Sequence, residues 1–156
     1  MHLRFLALTT EDVRNLQDGE ADANGFVPER QISDGGGNPC RHCLTEIPEG
    51  EEMLVLAYSP FPAPQPYAEI GPIFLCAKPC DRHPVSHVLP AMFQGWERTL
   101  IRGYTAEHRI QYGTGKAIDM RDVENVAEQI FADSEVAYIH MRSLGYNCYQ
   151  CRIERA

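Results

Sequence analysis

The stretch Val123-Glu124-Asn125-Val126-Ala127-Glu128-Gln129-Ile130-Phe131, followed after four residues by Val136-Ala137-Tyr138-Ile139-His140-Met141-Arg142, decides the fold class. In its first part Val123, Val126, Ala127, Ile130 and Phe131 recur at i, i+3, i+4, i+7 and i+8, which gives a helix one apolar face. Asp122 and Glu124 stand where the positive end of the helix dipole favours acidic groups. In the second part the period falls to two. Ala137, Ile139 and Met141 share one face of a strand, and Tyr138, His140 and Arg142 share the other. A helix that needs its apolar face covered, beside a strand with an apolar face to offer, argues for mixed helix and sheet.

Working outward, Cys148 to Ile153 alternates again after the turn Leu144-Gly145-Tyr146-Asn147. Thr99 to Tyr104 and Arg109 to Tyr112 read as a hairpin around Thr105-Ala106-Glu107-His108. Ile73 to Ala77, entered through Gly71-Pro72, and Met53 to Ser59 read as further strands. Pro60, Pro62, Pro64 and Pro66 impose an extended connection between them. Arg4 to Leu8 opens the chain as a strand, and Thr9 or Thr10 caps a helix with Glu11 and Asp12 in its first turn. From Asp18 to Pro39 no period is sustained, and the triplet Gly35-Gly36-Gly37 lacks the Lys-Ser/Thr of a phosphate loop. The expected architecture is α+β, a largely antiparallel sheet with two or three helices packed on one side. It forms a single domain over 1–156, with an irregular polar loop around 18–39.

The chain of 156 residues buries enough surface to fold without cross-links, and its formal net charge of −8 is spread without a basic stripe. Nucleic acid is therefore excluded as a main partner, because phosphate contacts need clustered Lys and Arg. No apolar run approaches a membrane span, and the opening apolar segment is too short for a signal peptide, so a cytoplasmic location is expected. In a reducing compartment the six cysteines stay free, bind metal or cycle in redox chemistry.

Pro39-Cys40-Arg41, Gly50-Glu51 ahead of an apolar strand, Pro66-Tyr67 with Gly71-Pro72-Ile73-Phe74, Val136 to His140, and Cys148 ahead of Arg152-Ile153-Glu154-Arg155 occur in that order. Together, from about Pro39 to Arg155, they resemble the bacterial family named domain of unknown function 1203. The resemblance implies a single-domain bacterial protein and brings no activity to any residue. Cys40 and Cys148 fit the shared pattern, whereas Cys43, Cys76 and Cys151 depart from it.

Three readings of the cysteines stand side by side. Cys40 and Cys43 have the spacing of a zinc knuckle, and Cys76 with Cys80 would complete a tetrahedral thiolate set, with His83 or His87 as substitutes. Against this, the three-residue gap from Cys76 to Cys80 is unusual, and Cys76 on an apolar strand suits a small buried side chain. In a second reading, His42 between Cys40 and Cys43 lowers a thiol pKa for redox exchange, although the setting after a Gly-rich loop is unlike a thioredoxin site. Incidental, buried cysteines are the third.

Tyr138, His140 and Arg142 form a separate constellation, a phenol, an imidazole and a guanidinium on one strand face. They suit a carboxylate or phosphate, with His140 titrating near neutrality and Cys148 beside the end of the face. The Cys40-Arg41 segment and the loop holding Tyr67 and Glu69 complete the expected ligand-binding set. The leading expectation is thus an uncharacterised protein that binds a small anionic metabolite without a cofactor, its catalytic residues, if any, unassigned. The alternatives are a structural-zinc interaction module built on the cysteine clusters and a thiol-redox protein using Cys40 and Cys43.

Overall fold

The computed structural model describes residues 2–156. In chain order it contains β1 (Leu3–Leu6), α1 (Thr10–Gln17), β2 (Glu29–Ile32), β3 (Glu52–Tyr58), β4 (Gly71–Cys76), α2 (Ala91–Gln94), β5 (Arg98–Tyr104), β6 (Lys116–Asp119), a 3-10 turn (Met120–Asp122), α3 (Val123–Ile130), β7 (Tyr138–Arg142) and β8 (Tyr149–Arg155). All pairings between these strands are antiparallel. The fold is α+β, with the strands divided between a five-stranded sheet of order β1-β8-β7-β5-β6 and a three-stranded sheet of order β2-β3-β4. Two compact units result. One holds the described residues up to Leu6, Ala63–Ala68 and Pro84–Ala156; the other holds Ala7–Pro62 and Glu69–His83. Among the described residues no helix is long and apolar enough to cross a membrane.

In the unit of the five-stranded sheet, α3 buries Val123, Ala127 and Ile130, with Phe131 buried as its C-cap. Asp122, at the N-cap, makes no side-chain cap bond. The carboxylate of Glu124 instead accepts the Leu89 amide at 2.8 Å. At the other end, Arg155 donates to the carbonyls of Val136, Phe131 and Asp133 at 2.6, 2.9 and 3.0 Å. Its guanidinium carbon lies 4.6 Å from the centre of the Phe131 ring. These bonds supply a cation and donors where a helix leaves carbonyls unpaired.

The expected hairpin of β5 with 109–112 forms only next to its turn, and the longer pairing of β5 is with β6. Only Ile110 of the segment 109–112 makes a β-bridge, to Tyr104. The Gln111 amide bonds the Gly103 carbonyl and the Gly103 amide bonds Thr114 Oγ1, after which the chain loops through Gly113 at φ +88°. Pairing resumes with Lys116 opposite Ile101 and Asp119 opposite Arg98.

In the other unit, Thr9 caps α1 by accepting the Asp12 amide, and α1 buries Val13 and Gln17. Leu54, Leu56, Ile73 and Leu75 form the buried face of β3 and β4. The segment 18–39, read as irregular, contains β2. All four of its residues are exposed, so burial leaves no period in the sequence, and its register against β3 is set by backbone bonds. The carboxylate of Asp22 organises the preceding turn, accepting the amides of Asn24, Phe26 and Ala57.

Candidate metal centre

Asn38 to Ile47 forms a short hairpin whose apex carries Cys40 and Cys43. The Ile47 amide bonds the Asn38 carbonyl at 2.9 Å and the Cys40 amide bonds the Thr45 carbonyl at 3.0 Å. Ser33 Oγ donates to the Ile47 carbonyl at 2.7 Å and accepts the Asn38 side-chain amide at 3.1 Å, which fastens the base. The chain reverses within the Leu44 amide to Cys40 carbonyl bond, with Leu44 at φ +51°. Cys40 bridges Phe74 in parallel sense, which lays the hairpin against the end of β4 where Cys76 sits.

Beyond Cys76 the chain turns through Ala77, Lys78 and Pro79 to Cys80. Gln17, buried on α1, donates to the carbonyls of Cys76 and Lys78 at 2.8 and 3.0 Å. Arg14, one turn earlier, donates to the Cys80 carbonyl and to Gln17 Oε1, both at 2.8 Å. This clamp makes the unusual spacing workable, because the turn is shaped by α1 rather than by a local motif.

The sulfurs of Cys40, Cys43, Cys76 and Cys80 all lie within 4.8 Å of one another. Cys40 to Cys80 and Cys43 to Cys76 are each 3.9 Å. Four thiolates bonded tetrahedrally to zinc at about 2.3 Å are spaced about 3.8 Å apart. The four residues therefore could hold a metal ion with little movement. None of the six cysteines is in a disulfide. The expectation of Cys76 as a buried hydrophobe is corrected, since its side chain is half-buried and faces the other sulfurs; Cys151 is the one that fits that description, enclosed and bonded to the Leu6 carbonyl. Burial pushes the Cys151 thiol up to about 12.

Among the clustered thiols, contact with Cys40, then Cys76 and Cys80, pulls Cys43 strongly down, while contact with Cys40 and Cys43 pushes Cys76 and Cys80 strongly up. Cys40 comes to about 7, with Cys43 raising it and Cys76 and Cys80 lowering it by a larger combined effect. The cause is one charge per cluster: the first thiolate gathers S–H donors and makes every further ionisation harder. A divalent cation removes that conflict.

His42 is fully enclosed, with Nδ1 3.1 Å from the Cys80 sulfur and Nε2 3.0 Å from Thr10 Oγ1. A thiolate only accepts, so Nδ1 carries the proton and the Thr10 hydroxyl donates to Nε2. Burial and the charge of Arg14 lower the His42 pKa, favouring this neutral ring. Thr45 Oγ1 lies 3.1 Å from the Cys43 sulfur, and the Cys76 amide donates to the Cys40 sulfur at 3.3 Å. The roles of Gln17, Arg14 and Thr10 escaped the sequence reading. Gln17 alone left a signal, a polar residue four positions after Val13 on the buried face of α1. His83 and His87 stand outside the sulfur cluster; His87 Nδ1 is 2.8 Å from the Leu3 carbonyl.

Tyr138, His140 and Arg142 do share one face of β7, but that face is as buried as the one bearing Ile139 and Met141. Tyr104 stacks on Tyr138 at 5.3 Å, the Arg152 guanidinium carbon lies 3.8 Å over the Tyr138 ring, and His140 contacts Tyr104, Tyr138 and Tyr149. Arg142 lies 3.3 Å from His140 Nδ1 and donates to the Asn147 carbonyl at 3.1 Å. Burial, then Arg142, Arg152, Arg102 and His108, holds His140 well below the ordinary histidine range, which corrects the expectation of titration near neutrality. Burial also pushes Tyr138 up to about 12.

Cys148 is half-exposed in the β7–β8 turn, its amide donating to Ser143 Oγ, next to Tyr149, the cross-strand partner of Arg142. Tyr67 meets Tyr112 and Arg109 instead, with hydroxyls 3.2 Å apart and the guanidinium 5.5 Å from its ring centre. Cys40 and Arg41 belong to the unit of the three-stranded sheet, where Cys40 joins the sulfur cluster. Arg41 donates there to the Pro39 carbonyl and lies over Phe74.

A family model described as protein of unknown function (DUF1203) matches residues 37–155, and the chain belongs to that family. No curated protein and no solved structure matches it.

Proposed function

We propose that this member of the DUF1203 family binds one zinc ion through Cys40, Cys43, Cys76 and Cys80 and serves as a metal-stapled module. The single observation that carries the reading is the sulfur spacing, 3.9 Å for Cys40–Cys80 and for Cys43–Cys76, with all four sulfurs within 4.8 Å. Four protein thiolates fill a tetrahedral shell and leave no position for water or substrate, so the ion is structural rather than catalytic. Soft sulfur donors in this geometry favour zinc over magnesium or calcium. The ion would join the 40–43 turn to the end of β4 and to the Cys80 turn, three segments otherwise linked by hydrogen bonds such as those of the Cys76 amide to Cys40 and of His42 to Cys80.

The test is elemental analysis of protein purified under reducing conditions, followed by cobalt substitution. One zinc per chain, a visible tetrahedral cobalt–thiolate spectrum, and loss of both on Cys43→Ser or Cys80→Ser are expected. Metal-free protein that fails to take up zinc or cobalt sinks the proposal.

The anionic-ligand reading keeps one supporting observation. Arg102 and Arg152 lie either side of the neutral His140, each opposite it across β5 and β8, and two guanidinium-bearing residues brought to one stretch of sheet attract an anion. Its test is a thermal-shift series with phosphate and dicarboxylates; an unshifted melt with all of them removes it.

A further inference from the structure

We infer that Cys76 is the reactive thiolate of this centre, a modification site for hydroperoxides whose oxidation to a Cys43–Cys76 disulfide expels the metal. The inference rests on the zinc reading above. Zinc keeps its thiolates deprotonated at neutral pH, so each sulfur is a nucleophile in principle, and the groups around it decide which reacts. A hydrogen bond received by a thiolate draws off electron density and makes it a weaker nucleophile. Three of the four sulfurs are quenched in this way. Cys40 is fully enclosed and takes the Cys76 amide at 3.3 Å; Cys80 takes His42 Nδ1 at 3.1 Å; Cys43 takes the Thr45 hydroxyl at 3.1 Å.

Cys76 differs. Among the described residues its sulfur has only the other sulfurs for polar neighbours, with Cys43 at 3.9 Å, and its side chain is partly open to solvent. Electron density and access therefore coincide on one ligand. The resolving thiolate 3.9 Å away, Cys43, is also the only other one of the four that is not held by an amide or imidazole.

The chemistry balances without a further partner. The Cys76 thiolate attacks one oxygen of hydrogen peroxide, the O–O bond breaks, and hydroxide leaves, giving Cys76 sulfenic acid. The Cys43 thiolate then attacks the Cys76 sulfur and expels a second hydroxide as the S–S bond forms. Two electrons pass from two thiolates to one peroxide, and two protons from solvent turn the hydroxides into water. Zinc is left with Cys40 and Cys80 and dissociates.

The experiment starts from protein whose zinc content has been measured as one per chain, so a failure of the metal reading is seen before any oxidant is added. Substoichiometric hydrogen peroxide is added with a chromogenic chelator, remaining thiols are alkylated, and the disulfides are mapped by mass spectrometry. One zinc released per peroxide consumed, with Cys43–Cys76 as the first disulfide, is the expected result. Thr45→Val, at an exposed position, strips the hydroxyl from Cys43 and should speed release several-fold, while Cys148→Ser should leave rate and stoichiometry unchanged. First oxidation at Cys40, Cys80 or Cys148, or zinc that stays bound after Cys76 is oxidised, overturns the inference.

Discussion

Removing the metal should cost the fold a calculable amount. Cys43 and Cys76, brought together at the cluster, are 33 positions apart in the chain. Treated as a cross-link, closing a loop of that size removes unfolded-chain entropy worth about 4 kcal/mol at 25 °C. For a chain of this length each 1 kcal/mol moves the melting temperature by about 2–4 °C, so the expected loss is roughly 8–16 °C. The assay is thermal unfolding followed by near-ultraviolet circular dichroism, in reducing agent, on zinc-loaded protein, chelator-treated protein, Cys43→Ser and Cys148→Ser. Chelator-treated protein and Cys43→Ser should melt together, well below the zinc-loaded form, while Cys148→Ser melts with the latter. If Cys43→Ser and the chelated protein superimpose on the zinc-loaded curve, the loop is not held by metal and the reasoning fails.

His140 sets a pH dependence whose sign is fixed. Because its folded-state pKa lies well below the unfolded value of about 6.5, the unfolded chain takes up a proton that the folded one refuses as pH falls through 6.5. Its contribution is complete above that pH and is lost on acidification toward the folded value; urea titrations at pH 7.5 and 5.5 should show the decline, and His140→Gln should reduce it. Gln17→Leu strands the Cys76 and Lys78 carbonyls and should destabilise by about 1–3 kcal/mol, with zinc lost to a weaker competing chelator than in the parent. Ile130→Ala should cost about 2–5 kcal/mol through its cavity, and Glu124→Ala about 1 kcal/mol through the freed Leu89 amide, both read from denaturant midpoints.

Where burial imposed a period, the chain could be read. The stripe on α3 and the alternation in β3, β4, β5, β7 and β8 each report a face turned to a core, and the Thr9 cap reports a local bond. β2 could not be read, since all its side chains are exposed and backbone pairing leaves no mark on composition. β6 was hidden for a related reason: Lys116 and Ala117 are exposed, and the 111–115 loop displaced the pairing from the segment that looked more strand-like. At the site, Cys40 and Cys43 announced themselves by spacing. Cys76 and Cys80 did not, because their geometry depends on Gln17 and Arg14, 59 and 66 residues away, and a sequence shows no such clamp. For β7, alternation gave the right two faces but could not tell that both are covered.

The pairing of β1 with β8, Leu3 opposite Arg155, sets the order in which a growing chain can become whole. Every residue of the sulfur cluster and of the three-stranded sheet has been made once His83 is added, so that unit can assemble, and under the zinc proposal take up its ion, while synthesis continues. The opening strand cannot. It must wait for roughly 70 further residues, on the order of 4–14 s at typical elongation rates, with one side of its backbone unsatisfied. If the cluster takes zinc as proposed, its four ligands are therefore all made before the strand that closes the five-stranded sheet exists, and a shortage of zinc would be felt first by the earlier-made unit.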